Sequence, residues 1–117
     1  MQNTKQYDLE DRTLGFAKRV RVFIESVPKS IGNIEDSKQV IRSSGSIGAN
    51  YIEDNESLSK KDFVMRIMIS RKEAKETQYW LKLIETKDSE LNKERISLLS
   101  ESVELTKIFG AILEKSK

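Results

Sequence analysis

Apolar residues recur along this chain every three or four positions, in four blocks separated by short polar breaks. That is the period of an amphipathic helix, and no stretch alternates with period two over a useful length. In the first block Asp8 caps the helix, with Asp11 at N3. Its inward stripe is Leu9, Thr13, Phe16, Ala17, Val20, Phe23, Ile24 and Val27, and Pro28 ends it. Residues 1–7 read as a loose tail and 29–32 as a turn.

The second helix is expected to start near Asn33, with Glu35 and Asp36 in a first turn where acids suit the helix dipole. Its inner stripe is Ser37, Val40, Ile41, Ser44, Ile47, Gly48 and Tyr51. Two glycines lie inside it, Gly45 and Gly48, each costing about 1 kcal/mol relative to alanine. Gly48 falls on the stripe, so close approach of a neighbouring helix is the expected reason. After an acidic break over 53–57, Ser59 caps the third helix with Asp62 at N3, and Leu58 and Phe63 stand at the positions of a hydrophobic staple.

The third helix turns Phe63, Ile67, Ser70, Ala74, Gln78 and Leu81 inward. A second stripe runs on its opposite side: Met65, Ile69, Lys72, Glu76, Tyr79, Trp80 and Leu83. A lone bundle has no use for apolar residues there. In the fourth helix Asn92 is the expected cap, Leu91 and Ile96 the staple pair, and Ile96, Leu99, Val103, Ile108, Phe109, Ile112 and Leu113 the apolar face. Gly110 is placed near a frayed end. Four such segments with short turns predict an all-α, antiparallel up-down-up-down four-helix bundle in one domain over residues 1–117.

Composition narrows the chemistry. The 117 residues include neither cysteine nor histidine. Disulfides, thiolate sites and cysteine nucleophiles are thereby excluded, and the commonest general base and metal ligand are missing. No apolar run is long enough to span a bilayer, and the polar start shows no signal peptide. A cytoplasmic location with no membrane partner is expected. Net charge is only +2, but it is segregated: residues 59–82 carry seven bases against three acids, a net +4, and residues 33–58 two bases against five acids, a net −3.

Three strings are more specific than amphipathic patterning. They are Ile41-Arg42-Ser43 with Ser46-Ile47-Gly48-Ala49-Asn50-Tyr51, then Ser59-Lys60-Lys61-Asp62-Phe63, then Arg71-Lys72-Glu73-Ala74-Lys75-Glu76-Thr77 with Tyr79-Trp80-Leu81. With Asp8-Leu9-Glu10 and Phe16-Ala17-Lys18-Arg19-Val20, they resemble the four-helix-bundle family of 23S rRNA intervening-sequence proteins. The resemblance runs from about Tyr7 to the C-terminus and is weakest in the fourth helix. The family is similar to the accessory variability proteins of diversity-generating retroelements, which bind nucleic acid and a reverse transcriptase. The resemblance implies an antiparallel four-helix bundle that assembles as a homo-oligomer, commonly a pentamer; RNA or DNA, bound through the basic surfaces, and a protein are the further partners expected. It implies no enzyme activity.

The candidate chemistry is weighed against plainer roles. Glu73 and Glu76, with Glu53 and Glu56, repeat a spacing used in di-iron bundles, but such sites also need Glu-x-x-His motifs. Ion pairs with Arg42, Arg66 or Lys72 are the expected use, with no metal, cofactor or catalytic residue. Ser44 and Ser46 lack a base partner and are no nucleophiles. Lys60, Lys61, Arg66, Lys72 and Lys75 form the candidate phosphate-binding surface. Complementary charge between neighbouring helices, or between protomers, is the competing explanation, under which the chain is a structural or protein-interaction module without nucleic-acid binding. Met65, Ile69, Tyr79, Trp80 and Leu83 form the candidate oligomer interface, with Trp80 near its centre.

Overall fold

The computed structural model describes the backbone of residues 5–54 and 56–117, and the side chains from Leu9 onward except Asn55. Four helices follow in order: α1 (Lys5–Ser26), α2 (Ile31–Asp54), α3 (Lys60–Leu83) and α4 (Ser89–Lys115). The connections are too short for anything but antiparallel neighbours. Helix α1 packs on α2 and α4, and α3 packs on the same two, so the helices stand at the corners of a square.

Each boundary has a local cause. Helix α1 closes with a tightened turn, Val27 N–H donating to Ile24 O at 3.2 Å, and Pro28 cannot continue it. Helix α2 begins two residues before the expected start, because Ser30 Oγ accepts from Asn33 N–H at 3.1 Å and caps it. Glu35 and Asp36 therefore stand beyond the first turn. Ser59 caps α3 as expected, accepting from Asp62 N–H at 3.1 Å. Helix α4 is capped by Asp88, not Asn92: Asp88 Oδ1 accepts from Leu91 N–H at 2.9 Å. Asn92 instead donates to Thr86 O at 3.0 Å.

Three further expectations are corrected. Helix α1 starts at Lys5, so Asp8 lies within it rather than capping it, and residues 5–7 are helical. Nothing before Leu9 breaks a helix, and polar residues can extend one; the rest of the expected tail, residues 1–4, lies outside the described residues. Neither staple forms, since Leu58 is 98% and Ile96 57% exposed. Gly110 is no frayed end, because α4 runs on to Lys115.

The core is one cluster drawn from all four helices. The α1 stripe is buried as patterned, from Leu9 to Val27, with Ile24 partly buried. Val40, Ile47 and Tyr51 enter from α2, Ile67, Ala74 and Leu81 from α3. The α4 contribution differs from the expected face. Leu98, Ser102, Leu105 and Phe109 are fully buried, while Leu99, Ile108, Ile112 and Leu113 only flank the cluster. Tyr51 meets Phe109 edge to face, ring centres 5.9 Å apart.

Candidate functional site

Polar contacts set how α2 and α3 lie together. Ser70 Oγ donates to Ile47 O at 2.9 Å, and Thr77 Oγ1 donates to Ser43 Oγ at 2.8 Å, both buried. Small side chains at these positions let the helices approach and bring their hydroxyls within reach. Above this seam Arg42 of α2 spans Glu73 and Glu76 of α3, at 3.4 and 3.3 Å. The paired glutamates thus hold a guanidinium. Glu73 Oε1 is buried and makes no aligned hydrogen bond, so the Arg42 charge is what compensates it.

The direction of these pairs bears on the charge segregation. Complementary charge within the chain would pair α2 acids with α3 bases. Among the described residues the α2–α3 ion pairs run the other way, an α2 base on α3 acids. The inter-helix pairs of α4 go to α1, Arg12 with Glu101 at 2.6 Å and Arg19 with Glu94 at 3.4 Å. Lys60, Lys61, Arg71, Lys75 and Lys82 are all exposed, and none stands within 4.0 Å of a carboxylate among the described residues. Lys72 is exposed and reaches Glu76 only at 4.0 Å.

The five bases proposed from the sequence do not form one surface. Arg66 is half-buried on the α2 side, donating to Asn50 Oδ1 at 3.2 Å. Lys60, Lys61, Lys72 and Lys75 lie on the outward side of α3. Arg71 joins them: its guanidinium lies across α4, 3.6 Å from where a Cβ on Gly110 would stand. A Cβ at 110 would make only ordinary van der Waals contact with it.

The second apolar stripe divides. Met65, Tyr79 and Leu83 are 52%, 58% and 41% exposed, and Ile69 is half-buried. Met68, absent from the expected stripe, is 55% exposed beside them. Trp80 differs: it packs against the protomer's own core, and its indole Nε1 is buried without a hydrogen-bond partner among the described residues. Tyr79 meets Trp80 edge to face at 5.2 Å, linking the exposed stripe to the core. Between this face and the last turns of α4 runs an open groove of about 960 Å³, where Met68, Tyr79 and Leu113 are interleaved with Arg71, Lys75 and Lys117.

At the far end of α2, Asp54 is only 3% exposed, and Ser57 Oγ donates to it at 3.2 Å. Burial, with Asp62 nearby, pushes its carboxyl up to about 6, against the opposing pull of Ser57 and Arg66. Burial also raises the Tyr51 phenol to about 12, reinforced by Glu10 and Asp54. Among the described residues no three acidic side chains gather as a metal site would require. No helix among them is long and apolar enough to cross a membrane.

Comparison with known proteins agrees with this architecture. The profile of the 23S rRNA-intervening sequence protein family matches residues 5–111. A solved structure from Bacteroides thetaiotaomicron, a protein of unknown function from the S23 ribosomal protein family, is similar with TM-score 0.78. It is 31% identical, and the match covers 95% of this chain and 99% of that one. Curated proteins offer no match. The chain belongs to the 23S rRNA-intervening sequence protein family.

Proposed function

We propose that this member of the 23S rRNA-intervening sequence family is a non-catalytic, self-assembling bundle that holds RNA or DNA through phosphate contacts along α3. One observation carries the reading: Lys60, Lys61, Arg71 and Lys75, on the outward side of α3, have no carboxylate within 4.0 Å among the described residues, and Lys72 reaches Glu76 only at 4.0 Å. Their charge therefore serves something outside the protomer. Exposed lysines and arginines along a helix match a polyanion, whose affinity comes from neutralised phosphates and released counterions. A ring of protomers would repeat the row and multiply weak contacts.

The test is charge reversal of Lys60, Lys61 and Lys75, with binding followed by fluorescence anisotropy of labelled RNA and DNA. Affinity should fall about equally for unrelated sequences, and the salt dependence should flatten by roughly two to three logarithmic units for three lost phosphate contacts. Binding that survives the triple change would move the site elsewhere.

A second reading concerns assembly and rests on the exposed Met65, Met68, Tyr79 and Leu83. Apolar residues gathered on one helix mark an interaction surface. We assign them to contact with a second protomer, and the family resemblance favours a closed ring of five. Arg71, Lys72 and Lys75 line the same groove as Met68 and Tyr79, so assembly through the stripe would share part of this face with the bases.

A further inference from the structure

The end of the bundle where the α1–α2 and α3–α4 turns meet holds an open cleft of about 780 Å³. Three bases from different elements line it: Lys82 from the last turn of α3, Lys87 from the turn, and Arg95 from α4. Glu85 is its one acidic lining residue, which leaves the cleft at +2. Ser30 and Thr86 add hydroxyls to the wall. None of the three bases has a carboxylate within 4.0 Å among the described residues. Arg95 is oriented by its own neighbours: Nε donates to Asn92 Oδ1 at 3.3 Å and Nη1 to Leu81 O at 3.5 Å. Its Nη2 makes no hydrogen bond with the described residues.

The walls are held in place. Asn33, 5% exposed, clamps the two turns together. Its Nδ2 donates to Pro28 O at 3.0 Å and to Glu85 O at 2.8 Å, and its Oδ1 accepts from Glu85 N–H at 3.0 Å. Asn92 pins Thr86 from the other side, at 3.0 Å. The α2 and α4 N-termini beside the cleft already have their caps in Ser30 and Asp88. The case therefore rests on the three basic side chains that line one cleft, not on the helix ends. Two exposed ammonium groups and a half-buried guanidinium around one cleft outweigh its single carboxylate and give it a positive potential that favours an anion. A phosphoryl group, with several charged acceptor oxygens, satisfies converging ammonium and guanidinium donors together.

We propose that this cleft is a phosphoryl-binding site, held by Lys82, Lys87 and Arg95. A row of bases along a helix suits the phosphates within a strand, whereas a concave cluster suits a phosphoryl group presented end-on. That group can come from a free anion or from the 5′ end of a nucleic acid. The assignment stands apart from the α3 reading, although Lys82 belongs to both surfaces.

The experiment uses the full chain and two charge-matched variants. Lys82→Glu with Lys87→Glu alters two exposed cleft residues. Lys93→Glu with Lys107→Glu alters two exposed bases of α4 outside the cleft. Each protein is measured at constant ionic strength against inorganic pyrophosphate by equilibrium dialysis. Each is also measured against one single-stranded RNA of about 12 nucleotides, with a 5′-phosphate or a 5′-hydroxyl, by anisotropy. Pyrophosphate binding that weakens at least about tenfold in the cleft variant and less than about twofold in the control supports a free anion. A 5′-phosphate preference that disappears only in the cleft variant supports a nucleic-acid end. The proposal is overturned if pyrophosphate binds nowhere, or equally in both variants, while the two RNAs stay indistinguishable. In that case RNA binding still sensitive to Lys60, Lys61 and Lys75 leaves the α3 reading standing. Pyrophosphate held in the cleft by a protein that ignores RNA has the opposite meaning.

Discussion

Gly48 of α2 lies against Thr13 of α1 so closely that a Cβ at position 48 would stand 2.8 Å from Thr13 Oγ1 and 3.1 Å from its Cβ. Thr13 cannot readily withdraw: it is 1% exposed, and its hydroxyl donates back to Leu9 O at 2.9 Å. Gly48→Leu should therefore destabilise by roughly 1–3 kcal/mol through overpacking. Gly45 has nothing within 4 Å of such a Cβ. Gly45→Ala should stabilise by about 0.5–1 kcal/mol through helix propensity. Denaturant melts of the two variants should move in opposite directions, and a shared direction would contradict this account of the two glycines.

Asn33→Ala removes three hydrogen bonds, two of them to Glu85 in the α3–α4 turn and one to Pro28 in the α1–α2 turn. It also leaves the Glu85 N–H without its partner. Stability should fall by about 2–4 kcal/mol, given about 1 kcal/mol per bond and the cost of unsatisfied groups. Hydrogen exchange at residues 84–88 should quicken before that of the mid-bundle. Uniform acceleration would mean that the clamp acts on the whole fold rather than on this end.

Asp54 predicts a pH dependence of definite sign. Its folded-state value, about 6, lies above its ordinary 3.8. Ionising it therefore costs the folded state more than the unfolded one. Its favourable contribution is complete below about pH 4 and declines as pH rises to about 6. Asp54→Asn keeps an acceptor for Ser57 and removes the charge. It should raise stability at pH 7 by about 1–3 kcal/mol, with the gain gone near pH 3.5. Melts of both proteins across that range would show it, and a gain independent of pH would assign the effect to something other than this charge.

Assembly can be separated from protomer folding because the apolar stripe divides. Tyr79→Glu with Leu83→Glu alters exposed side chains and should give a folded monomer of 13.5 kDa by light scattering, where the wild type should show a mass several times larger. Trp80→Glu should instead lower the melting midpoint, because the indole packs on the protomer's own core. A wild-type monomer at tens of micromolar, or a double variant that stays assembled, would remove this face from consideration.

Charge and periodicity in the sequence determine much of this protein. They set four helices, the whole α1 stripe, the Ser59 cap, the close approach at Gly48 and the basic character of α3. The helices and the Ser59 cap depend on residues near one another along the chain, while the α1 stripe and Gly48 were legible because helical periodicity shows which side faces a neighbour, not which neighbour it meets. The family, too, is legible in the strings around Gly48, Ser59 and Trp80. Tertiary structure decided what local rules leave open. Apolar residues cover more than half of the α4 circumference, and only contact with the other helices chose Leu98 and Leu105 over Ile96 for the core. Ser30 and Asp88 became caps because the chain could close its turns there, freeing Asn33 and Asn92 to tie those turns together. The charge pattern showed a basic α3 beside an acidic α2, but not that Arg42 would take the α3 glutamates. Which charges are neutralised inside a protomer depends on side chains distant in sequence. The bases left over, along α3 and in the cleft at the bundle's end, could be identified only once those partners were in place.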